Sequence, residues 1–358
     1  MLNWHAQRIS LFAGVAAIRL TCAVNAADFA AEGYGANVVG GKGGAIFHVT
    51  NLNDAGKGSL RDAVSAGGRL VVFDVSGVIT LKSALVIHSD LTVDGTTAPT
   101  PAITLTGNTV SVSHNHNIIL RNLRFRQGPN GRARKCSLTG FNCYDIVVDH
   151  CSIEWGRWDC MEFTGDSHDI TVQWCIIGEG IDPQRFGFLL NGENRISVHH
   201  NLFINNQSRN PKLKANAQFI NNVIYNWGGG GGLVGGHSAD AWHSDVISNY
   251  VVAGPSSSGH WVSQCNSNDV WFVSGNYKDL NKNGALDGVL APDSDFAQQG
   301  VAISGKPFHS ARIKTDAAVH CVELAIAGGL GCLPNDSVDK RLTASLSSYG
   351  TEGQVAKP

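Results

Sequence analysis

Three basic residues stand close together near residue 210. Arg209, Lys212 and Lys214 lie within six positions, with Pro211 after the first of them. A guanidinium is planar and binds a carboxylate through two parallel hydrogen bonds, so Arg209 is suited to hold an acidic group. Nearby positive charge lowers the pKa of a cation, and Lys212 and Lys214 supply some of that charge. The segment therefore leaves two roles open for Arg209: binding an anionic substrate, or removing a proton from one.

A second polar segment has the spacing of a metal-binding loop. Asp279, Asn281, Asn283, Gly284 and Asp287 occupy places one, three, five, six and nine of an EF-hand-type calcium loop. The twelfth place carries a leucine instead of the bidentate glutamate of such loops. The segment predicts either an incomplete calcium loop or a polar turn between strands. In both cases its role is structural rather than catalytic.

The elements that position these residues follow a degenerate repeat. Short segments with period-2 alternation and β-branched residues recur at 117–122, 145–150, 169–174, 195–200, 219–223 and 245–249. The aligned isoleucines at 118, 146, 170 and 196 are 28, 24 and 26 residues apart. That spacing is too short for a strand plus a crossover helix, and it suits one coil of a β-solenoid. We predict an all-β solenoid with Ile118, Ile146, Ile170 and Ile196 stacked inside.

Asparagines recur just after the repeated strands. They are Asn122, Asn201, Asn222 and Asn249. Stacked asparagines at the turns of a solenoid satisfy one another's amide groups and the turn backbone. Ordinary turn asparagines, the alternative, would not stack.

Both ends of the repeat region carry different patterns. Residues 58–64 predict a short helix that caps the open end of the solenoid. Residues 300–358 predict a C-terminal wrap over the other end or the flank, helical over 316–328 and polar from Asp336. No linker separates a second domain, so we expect one domain over residues 27–358.

Composition limits the class of protein. With 43% apolar and 16% charged residues the chain should fold, and a net charge of −2 gives no basis for nucleic-acid binding. Residues 1–26 have the pattern of a signal peptide that ends at Val24-Asn25-Ala26, and no later run is long enough to span a bilayer. We therefore expect a secreted protein, most simply a monomer, that needs a local basic patch to bind a polyanion.

Nine cysteines fit an exported protein. Cys321 and Cys332 are close enough in sequence to pair. Cys151 and Cys175 occupy matching points of adjacent repeats, where they are either bonded or stacked as small apolar residues, and stacking is the arrangement we expect.

A series of short motifs extends along nearly the whole mature chain. In order they are Ala31-Glu32-Gly33-Tyr34-Gly35, Gly40-Gly41-Lys42-Gly43-Gly44, Val49-Thr50-Asn51-Leu52-Asn53-Asp54, Gly58-Ser59-Leu60-Arg61, Asp149-His150-Cys151-Ser152, Gln173-Trp174-Cys175-Ile176, His199-His200-Asn201-Leu202, Ser208-Arg209-Asn210-Pro211-Lys212 and Asn221-Asn222-Val223-Ile224-Tyr225-Asn226-Trp227. Together they resemble pectate lyase family 1 over roughly residues 30–345. The resemblance implies a right-handed parallel β-helix that cleaves polygalacturonate by β-elimination, usually with calcium.

The resemblance also implies roles for the basic residues. Arg209 begins a segment similar to the family's Arg-x-Pro-x-x-Arg element, whose first arginine is the base, and Lys214 departs from the second arginine. Lys212 and Lys214 are then expected to bind substrate. Arg185 precedes Phe186, where family members often carry a basic residue facing substrate, although a solvated surface arginine is the alternative.

The chain departs from the family at Lys135-Cys136, where calcium-dependent members carry aspartates. Calcium needs several oxygen ligands, which lysine and cysteine cannot provide. Three interpretations stay open. In the first, a weakened calcium site keeps Asp159 together with Glu154 or Glu162. Alternatively Lys135 replaces the metal, as a fixed cation does in the related calcium-free pectin lyases, or the site is inactive. Asp149 and His150 look like a catalytic pair, but their place in a repeat strand favours a structural role.

Two other functions compete with lysis. A β-helix glycoside hydrolase needs paired carboxylates across one bond, and the chain has no Asp-Asp pair for that purpose. A non-catalytic carbohydrate-binding solenoid stays possible because of the departure at Lys135-Cys136. The expected partner in every case is an acidic polysaccharide.

Overall fold

The computed structural model describes residues 30–357, so the predicted signal peptide lies outside the described residues. The chain forms a right-handed parallel β-helix, as the repeat spacing and the motifs predicted. In chain order the strands are β1 (Ala45–Val49), β2 (Arg69–Phe73), β3 (Gly77–Thr80), β4 (Leu85–Val86), β5 (Leu91–Asp94), β6 (Ile103–Thr106), β7 (Val110–Ser111), β8 (His116–Arg121), β9 (Leu123–Arg126), β10 (Leu138–Phe141), β11 (Tyr144–Asp149), β12 (Ser152–Glu154), β13 (Asp159–Thr164), β14 (His168–Gln173), β15 (Ile176–Gly178), β16 (Phe186–His199), β17 (Leu202–Ile204), β18 (Lys212–Ile220), β19 (Val223–Tyr225), β20 (Leu233–Val234), β21 (His243–Ile247), β22 (Tyr250–Val252), β23 (Val262–Ser263), β24 (Val270–Ser274), β25 (Tyr277–Asp279), β26 (Val289–Leu290) and β27 (Ala302–Ile303). The α-helices are α1 (Leu60–Ala63), α2 (Asp293–Ala297), α3 (Ala318–Ile326) and α4 (Ser337–Ser347), and single 3-10 turns lie at Gly33–Gly35 and Gly95–Thr97.

Each complete coil contributes one strand to each of three parallel sheets. Sheet A contains β1, β2, β5, β8, β11, β14, β21, β24, β27 and the second halves of β16 and β18. Sheet B is the ten-stranded sheet, parallel except for β26, which pairs antiparallel with β25. Sheet C contains β4, β7, β10, β13, β20, β23 and the first halves of β16 and β18.

The four isoleucines of the repeat stack as predicted. Ile146 is in register with Ile118 on one side and with Ile170 on the other, and Ile170 is in register with Ile196. All four are fully buried. A single coil cannot bury its own apolar side chains, so each row of aligned residues is shielded from water only by the rows above and below.

The corner between sheets A and B holds a ladder of asparagines. The Asn201 amide donates to Asn222 (3.0 Å), Asn222 donates to Asn249 (3.1 Å), and Asn249 donates to Asn276 (2.9 Å). Asn122 is not in this ladder. It lies one position earlier, and its side chain instead exchanges two hydrogen bonds with the backbone of Leu333 in the C-terminal segment.

The ladder continues through cysteines, which settles the two alternatives for them. Cys151 and Cys175 are unbonded and stacked, with the Cys151 amide donating to the Cys175 sulfur and the Cys175 amide donating to Asn201. Cys321 and Cys332 also form no disulfide. Their thiols donate to two different carbonyls, those of Asn221 and Asn122 respectively.

Both ends of the solenoid are covered. Helix α1, capped by Ser59, buries Leu60 and Ala63 in the main core at the N-terminal end. Helix α2 places Phe296 against Trp261 and Trp271 beside the last coils. These elements cover strand edges that would otherwise pair with other chains.

The C-terminal segment packs on the flank of sheet B. Helices α3 and α4 bury Val322 and Leu346 in an apolar cluster with Leu202 and Tyr225. The polar tail from Asp336 begins with a helix, because Asp336 caps the eleven-residue α4 in a reciprocal capping box with the third helical residue. Within residues 30–357, no helix is long and apolar enough to cross a membrane.

Candidate active site on sheet C

The outer surface of sheet C carries the polar side chains near the predicted site. In register across it, Thr139 lies beside Glu162, and Leu189 lies between Glu162 and Lys212. Their inward neighbours, such as Met161 and Leu213, are fully buried. The period-2 alternation of each strand therefore directs the polar residues to the outside, and the coil stacking brings residues from distant sequence positions side by side.

Arg209 forms an ion pair with Asp159. Its Nη1 atom lies 2.9 Å and 3.2 Å from the two carboxylate oxygens of Asp159, which is fully buried. The guanidinium carbon lies 4.1 Å from the centre of the Phe186 ring, so the cation lies over an aromatic face. The ion pair and the ring contact together hold the Arg209 side chain in place.

Lys212 supplies positive charge next to Arg209. Its ammonium is 3.2 Å from Nδ1 of His237. Burial, together with the charges of Arg209 and Lys214, lowers the pKa of Lys212 to about 8. Burial and the same three cations also lower the pKa of His237. Lys212, Lys214 and His237 therefore place several basic groups close to Arg209.

Asp159 also belongs to a group of possible metal ligands. Its carboxylate, that of Glu162 and the sulfur of Cys136 lie within 4.8 Å of one another. Burial raises the pKa of Asp159 to about 7 against the opposing effect of Arg209, and burial raises the pKa of the Cys136 thiol. Glu162 accepts a hydrogen bond of 2.7 Å from Thr139. We call Arg209, Lys212, Asp159, Glu162 and Cys136 the groove cluster.

The groove cluster fits a resident calcium ion poorly. Calcium takes six to eight oxygen ligands, and these residues offer two carboxylates and a protonated thiol. Arg209 already occupies both oxygens of Asp159.

Two open grooves border the cluster. One, of about 690 Å³, is lined by Lys135, Arg132 and Lys82 as well as Cys136 and Glu162. The other, of about 320 Å³, is lined by Arg185, Arg209, Lys212 and His237. Although the chain has a net charge of −2, cationic side chains are concentrated along this face, which is the local basic patch that a polyanion requires.

Lys135 and Arg185 differ in how accessible their side chains are to a ligand in these grooves. Lys135 is exposed, and its backbone carbonyl accepts a hydrogen bond from Arg157. Arg185 lies largely buried at the edge of the second groove, where its guanidinium donates to the carbonyl of Ala356 (2.8 Å). Arg185 is thus tied to the C-terminal segment, whereas Lys135 is accessible to a ligand in the groove.

Glu154 lies outside the groove cluster. It is on β12 of sheet B, where its carboxylate accepts a hydrogen bond of 2.8 Å from Arg126. It belongs to a buried set of charges, Arg124, Arg126, Glu154, Asp336 and Asp339, which we call the C-terminal ionic cluster. The structure therefore does not bring Glu154 together with Asp159 and Glu162, and it corrects the prediction that grouped the three.

Two other sets of singled-out residues also lie away from sheet C. Asp149 accepts hydrogen bonds from His150 (3.0 Å) and Gln173 (2.8 Å) near the corner of sheets A and B, which supports the structural interpretation of that pair. Asp279, Asn281, Asn283 and Asp287 converge in the loop between β25 and β26.

Sequence reasoning did not identify Phe186 and His237 as parts of the site. Phe186 begins β16, one residue after Arg185, and its ring supports Arg209 from the preceding coil. His237 lies in the loop after β20 and faces Lys212 across 25 residues of sequence. Neither residue carries a local motif, so only the stacking of coils reveals them.

Comparison with known proteins identifies the family. No family model matches the chain, but a probable pectate lyase C from Aspergillus fumigatus is 41% identical over 324 residues, covering 90% of this chain and 77% of the relative. The corresponding protein of Neosartorya fischeri is 40% identical over 326 residues, covering 91% and 78%. The chain belongs to the pectate lyase family.

Solved pectate lyase structures share this family's fold. A Bacillus subtilis pectate lyase variant superposes with a TM-score of 0.61 at 15% identity, covering 84% of this chain and 96% of the other. A Bacillus pectate lyase in complex with trigalacturonate gives 0.57 at 16% identity, covering 82% and 96%. At these identities the structures support the β-helix alone, and the family assignment rests on the fungal relatives.

Proposed function

We propose that this protein cleaves pectate by β-elimination in the grooves of sheet C, with Arg209 as the base. The observation that carries the proposal is the position of Arg209, over the Phe186 ring and beside Lys212 at the wall of an open basic groove. The pectate lyase relatives supply the reaction class and the substrate class.

β-Elimination from a uronic acid makes three demands on the site. A base removes the proton next to the carboxylate, and the electron pair of that C–H bond forms the 4,5 double bond. The bond from C4 to the glycosidic oxygen breaks, and water protonates the departing oxygen. Positive charge must neutralise the substrate carboxylate so that the carbanion-like transition state is accessible. Lys212, Lys214 and Lys135 are our candidates for that charge, with Arg185 at the groove edge.

Arg209 needs help to act as a base, because a guanidinium is ordinarily protonated throughout the physiological range. In the structure its Nη1 atom is paired with the carboxylate of Asp159. Burial raises the pKa of Asp159 to about 7 against the opposing effect of Arg209. Lys212 places a second basic group beside the guanidinium.

Lys135 is our candidate for the fixed cation in place of calcium. Its ammonium carries one positive charge with three donors, and it borders the same groove as Glu162 and Cys136. A calcium-dependent enzyme that uses Asp159 and Glu162 is the alternative. Lys135 adjoins the cysteine that replaces one of the expected oxygen ligands, and this favours the metal-free version.

One assay tests the reaction class. Polygalacturonate and methylated pectin are each incubated with the protein, with added calcium and with chelator. Lysis produces reducing ends together with an ultraviolet-absorbing unsaturated end, hydrolysis produces reducing ends alone, and a binding protein produces neither. Reducing ends without ultraviolet absorbance on both substrates would overturn the proposed function.

Secretion and a monomeric state complete the proposal. A pectate-cleaving protein meets its polymer outside the cell, in line with the signal-like pattern of residues 1–26. Cell fractionation tests secretion, and light scattering of the purified chain tests the monomer.

A further inference from the structure

The loop between β25 and β26 is folded in the manner of a calcium loop. The two strands pair antiparallel, and Lys282 and Gly284 at the tip have positive φ values of 57° and 82°. The side-chain oxygen of Asn281 accepts the amide of Asn283 (3.1 Å), and that of Asn283 accepts the amide of Ala285 (2.8 Å). These turns direct the alternate side chains to one side of the loop.

Three of the four polar side chains meet at the Asp287 carboxylate, and the fourth, Asp279, contacts the backbone of the same residue. The carboxylate of Asp287 accepts hydrogen bonds from the amides of Asn281 (2.8 Å) and Asn283 (2.9 Å). One oxygen of Asp279, Oδ2, accepts the backbone amide of Asp287 (3.2 Å). First and last residues of the motif therefore face each other across the loop.

An unsatisfied carboxylate oxygen at this centre points to a ligand. Asp279 is only 2% exposed, and within the described part of the chain no donor reaches its Oδ1 atom. Its Oδ2 atom faces the loop, so the carboxylate as a whole is directed there. A buried carboxylate oxygen without a partner is costly, and a bound cation would remove that cost.

The nearest lysine of the loop does not supply that cation. Lys282 turns outward, and its ammonium donates to the carbonyl of Ser257 (2.8 Å). The loop thus keeps two carboxylates and two amide side chains around one centre with no lysine between them. Each of these side chains has an oxygen atom that can bind a metal ion, and hard divalent cations prefer oxygen ligands.

We propose that the Asp279–Asp287 loop binds a calcium ion through Asp279, Asn281, Asn283 and Asp287. The amide groups of the two asparagines would rotate to present oxygen to the ion, and water would complete the shell. Because the twelfth place is a leucine, the site lacks a bidentate ligand and should be weak, with Kd about 0.1–1 mM as in extracellular modules. This site is separate from the groove cluster and does not depend on the proposed reaction.

Calcium in the Asp279–Asp287 loop would stabilise the packing of the last coil against the C-terminal segment. The Gly284 amide donates to the carbonyl of Tyr349 just after α4, and the Gly288 amide donates to the hydroxyl of Tyr250. Leu286 packs against the apolar cluster under α3 and α4. An ion that holds the loop in shape therefore stabilises the junction between the solenoid and its C-terminal wrap.

Terbium luminescence tests the site directly. Terbium replaces calcium in such loops, and Tyr250 is close enough, through Gly288, to sensitise its emission. We expect tyrosine-excited terbium emission from the chelator-treated full chain, displaced by millimolar calcium. Asp287→Asn and Asp279→Asn should each abolish most of it, whereas Glu162→Gln, which alters the groove cluster, should keep it.

Thermal unfolding provides the second readout. Calcium at 10 mM should raise the Tm of the wild type by roughly 2 °C relative to chelator, and Asp287→Asn should lose that rise. Asp240→Asn, a change of an exposed loop aspartate elsewhere, is the matched control and should keep it. Pectate cleavage by Asp287→Asn should match the wild type. Terbium emission and a calcium-induced Tm rise that both persist in Asp287→Asn and Asp279→Asn would overturn the proposal.

Discussion

The molecule has two clusters of arginine and carboxylate on different sheets, and they behave differently. In the C-terminal ionic cluster, Arg126 donates to Glu154, Asp336 and Asp339, and helix α4 closes over the set. In the groove cluster, Arg209 donates through Nη1 to Asp159 alone, beside open space. The same residue types thus form a buried cluster of ion pairs under α4 and an accessible cationic site on sheet C.

The pKa shifts separate the two clusters further. The carboxylates around Arg126 raise its pKa despite its burial, so this guanidinium stays charged. Around Arg209 the neighbouring charges include Lys212, whose pKa is lowered to about 8. Excess negative charge therefore keeps Arg126 protonated, whereas positive charge in the groove cluster makes Lys212 easier to deprotonate. Chemistry is expected only in the second environment.

The sharpest test of the comparison is Arg209→Lys. Lysine keeps the charge but loses the planar fork and the stacking on Phe186, so we expect kcat on polygalacturonate to fall about 10²–10⁴-fold with an unchanged Tm. The measurement is ultraviolet absorbance of the unsaturated product. Arg195→Lys, at an exposed pair with Asp169, is the control and should keep its turnover. Near-wild-type kcat in Arg209→Lys would show that Arg209 is not the base.

The converse substitution is Arg126→Met in the C-terminal ionic cluster. It leaves buried carboxylates unpaired, so the free energy of unfolding should fall by about 3–5 kcal/mol while kcat per folded molecule stays the same. Denaturant titration measures the loss. Arg341→Met, which breaks the partly exposed pair with Glu179, should cost at most about 1 kcal/mol. Equal losses in the two variants would contradict the distinction between a closed cluster and a surface pair.

Lys135 decides whether the groove cluster works without metal. If its ammonium replaces the ion, activity survives chelator, and Lys135→Asp lowers metal-free kcat/KM about 10–100-fold, the loss of one charged hydrogen bond. Lys135→Asp could then gain a calcium requirement, and methylated pectin should be tolerated. Arg134→Asp, at the preceding exposed residue, is the control. Complete loss of wild-type lysis in chelator, restored by calcium, would exclude the replacement.

The smallest effect concerns the pH profile. Below pH 8 Lys212 is protonated and binds substrate carboxylate, and above pH 8 it loses that charge, so kcat/KM should decline above pH 8. Lys212→Arg keeps its charge at alkaline pH and should shift the decline upward. The readout is kcat/KM from pH 6 to 10 at constant ionic strength. A decline at the same pH in both proteins would assign it to another group.

The sequence by itself determined the architecture and the main basic segment. Isoleucines 24 to 28 residues apart define a coil, because each coil must place an apolar residue over the last one to exclude water. Arg209 and Lys212 were identified as candidate site residues for a similar local reason. Lys212 begins β18, and Arg209 lies three residues before it. The calcium-like loop is likewise a contiguous motif, and its residues do converge.

Only the tertiary structure decided which distant residues meet. Glu154, Asp159 and Glu162 lie within nine residues, yet a corner of the coil sends Glu154 to sheet B and the other two to sheet C. Asn122 misses the asparagine ladder by one position, which a degenerate repeat cannot resolve. Lys212 and His237, or Arg126 and Asp339, become neighbours through coil stacking and C-terminal packing. Such pairs depend on register and on the path of the corners, and the interactions that set those paths are spread over the whole fold.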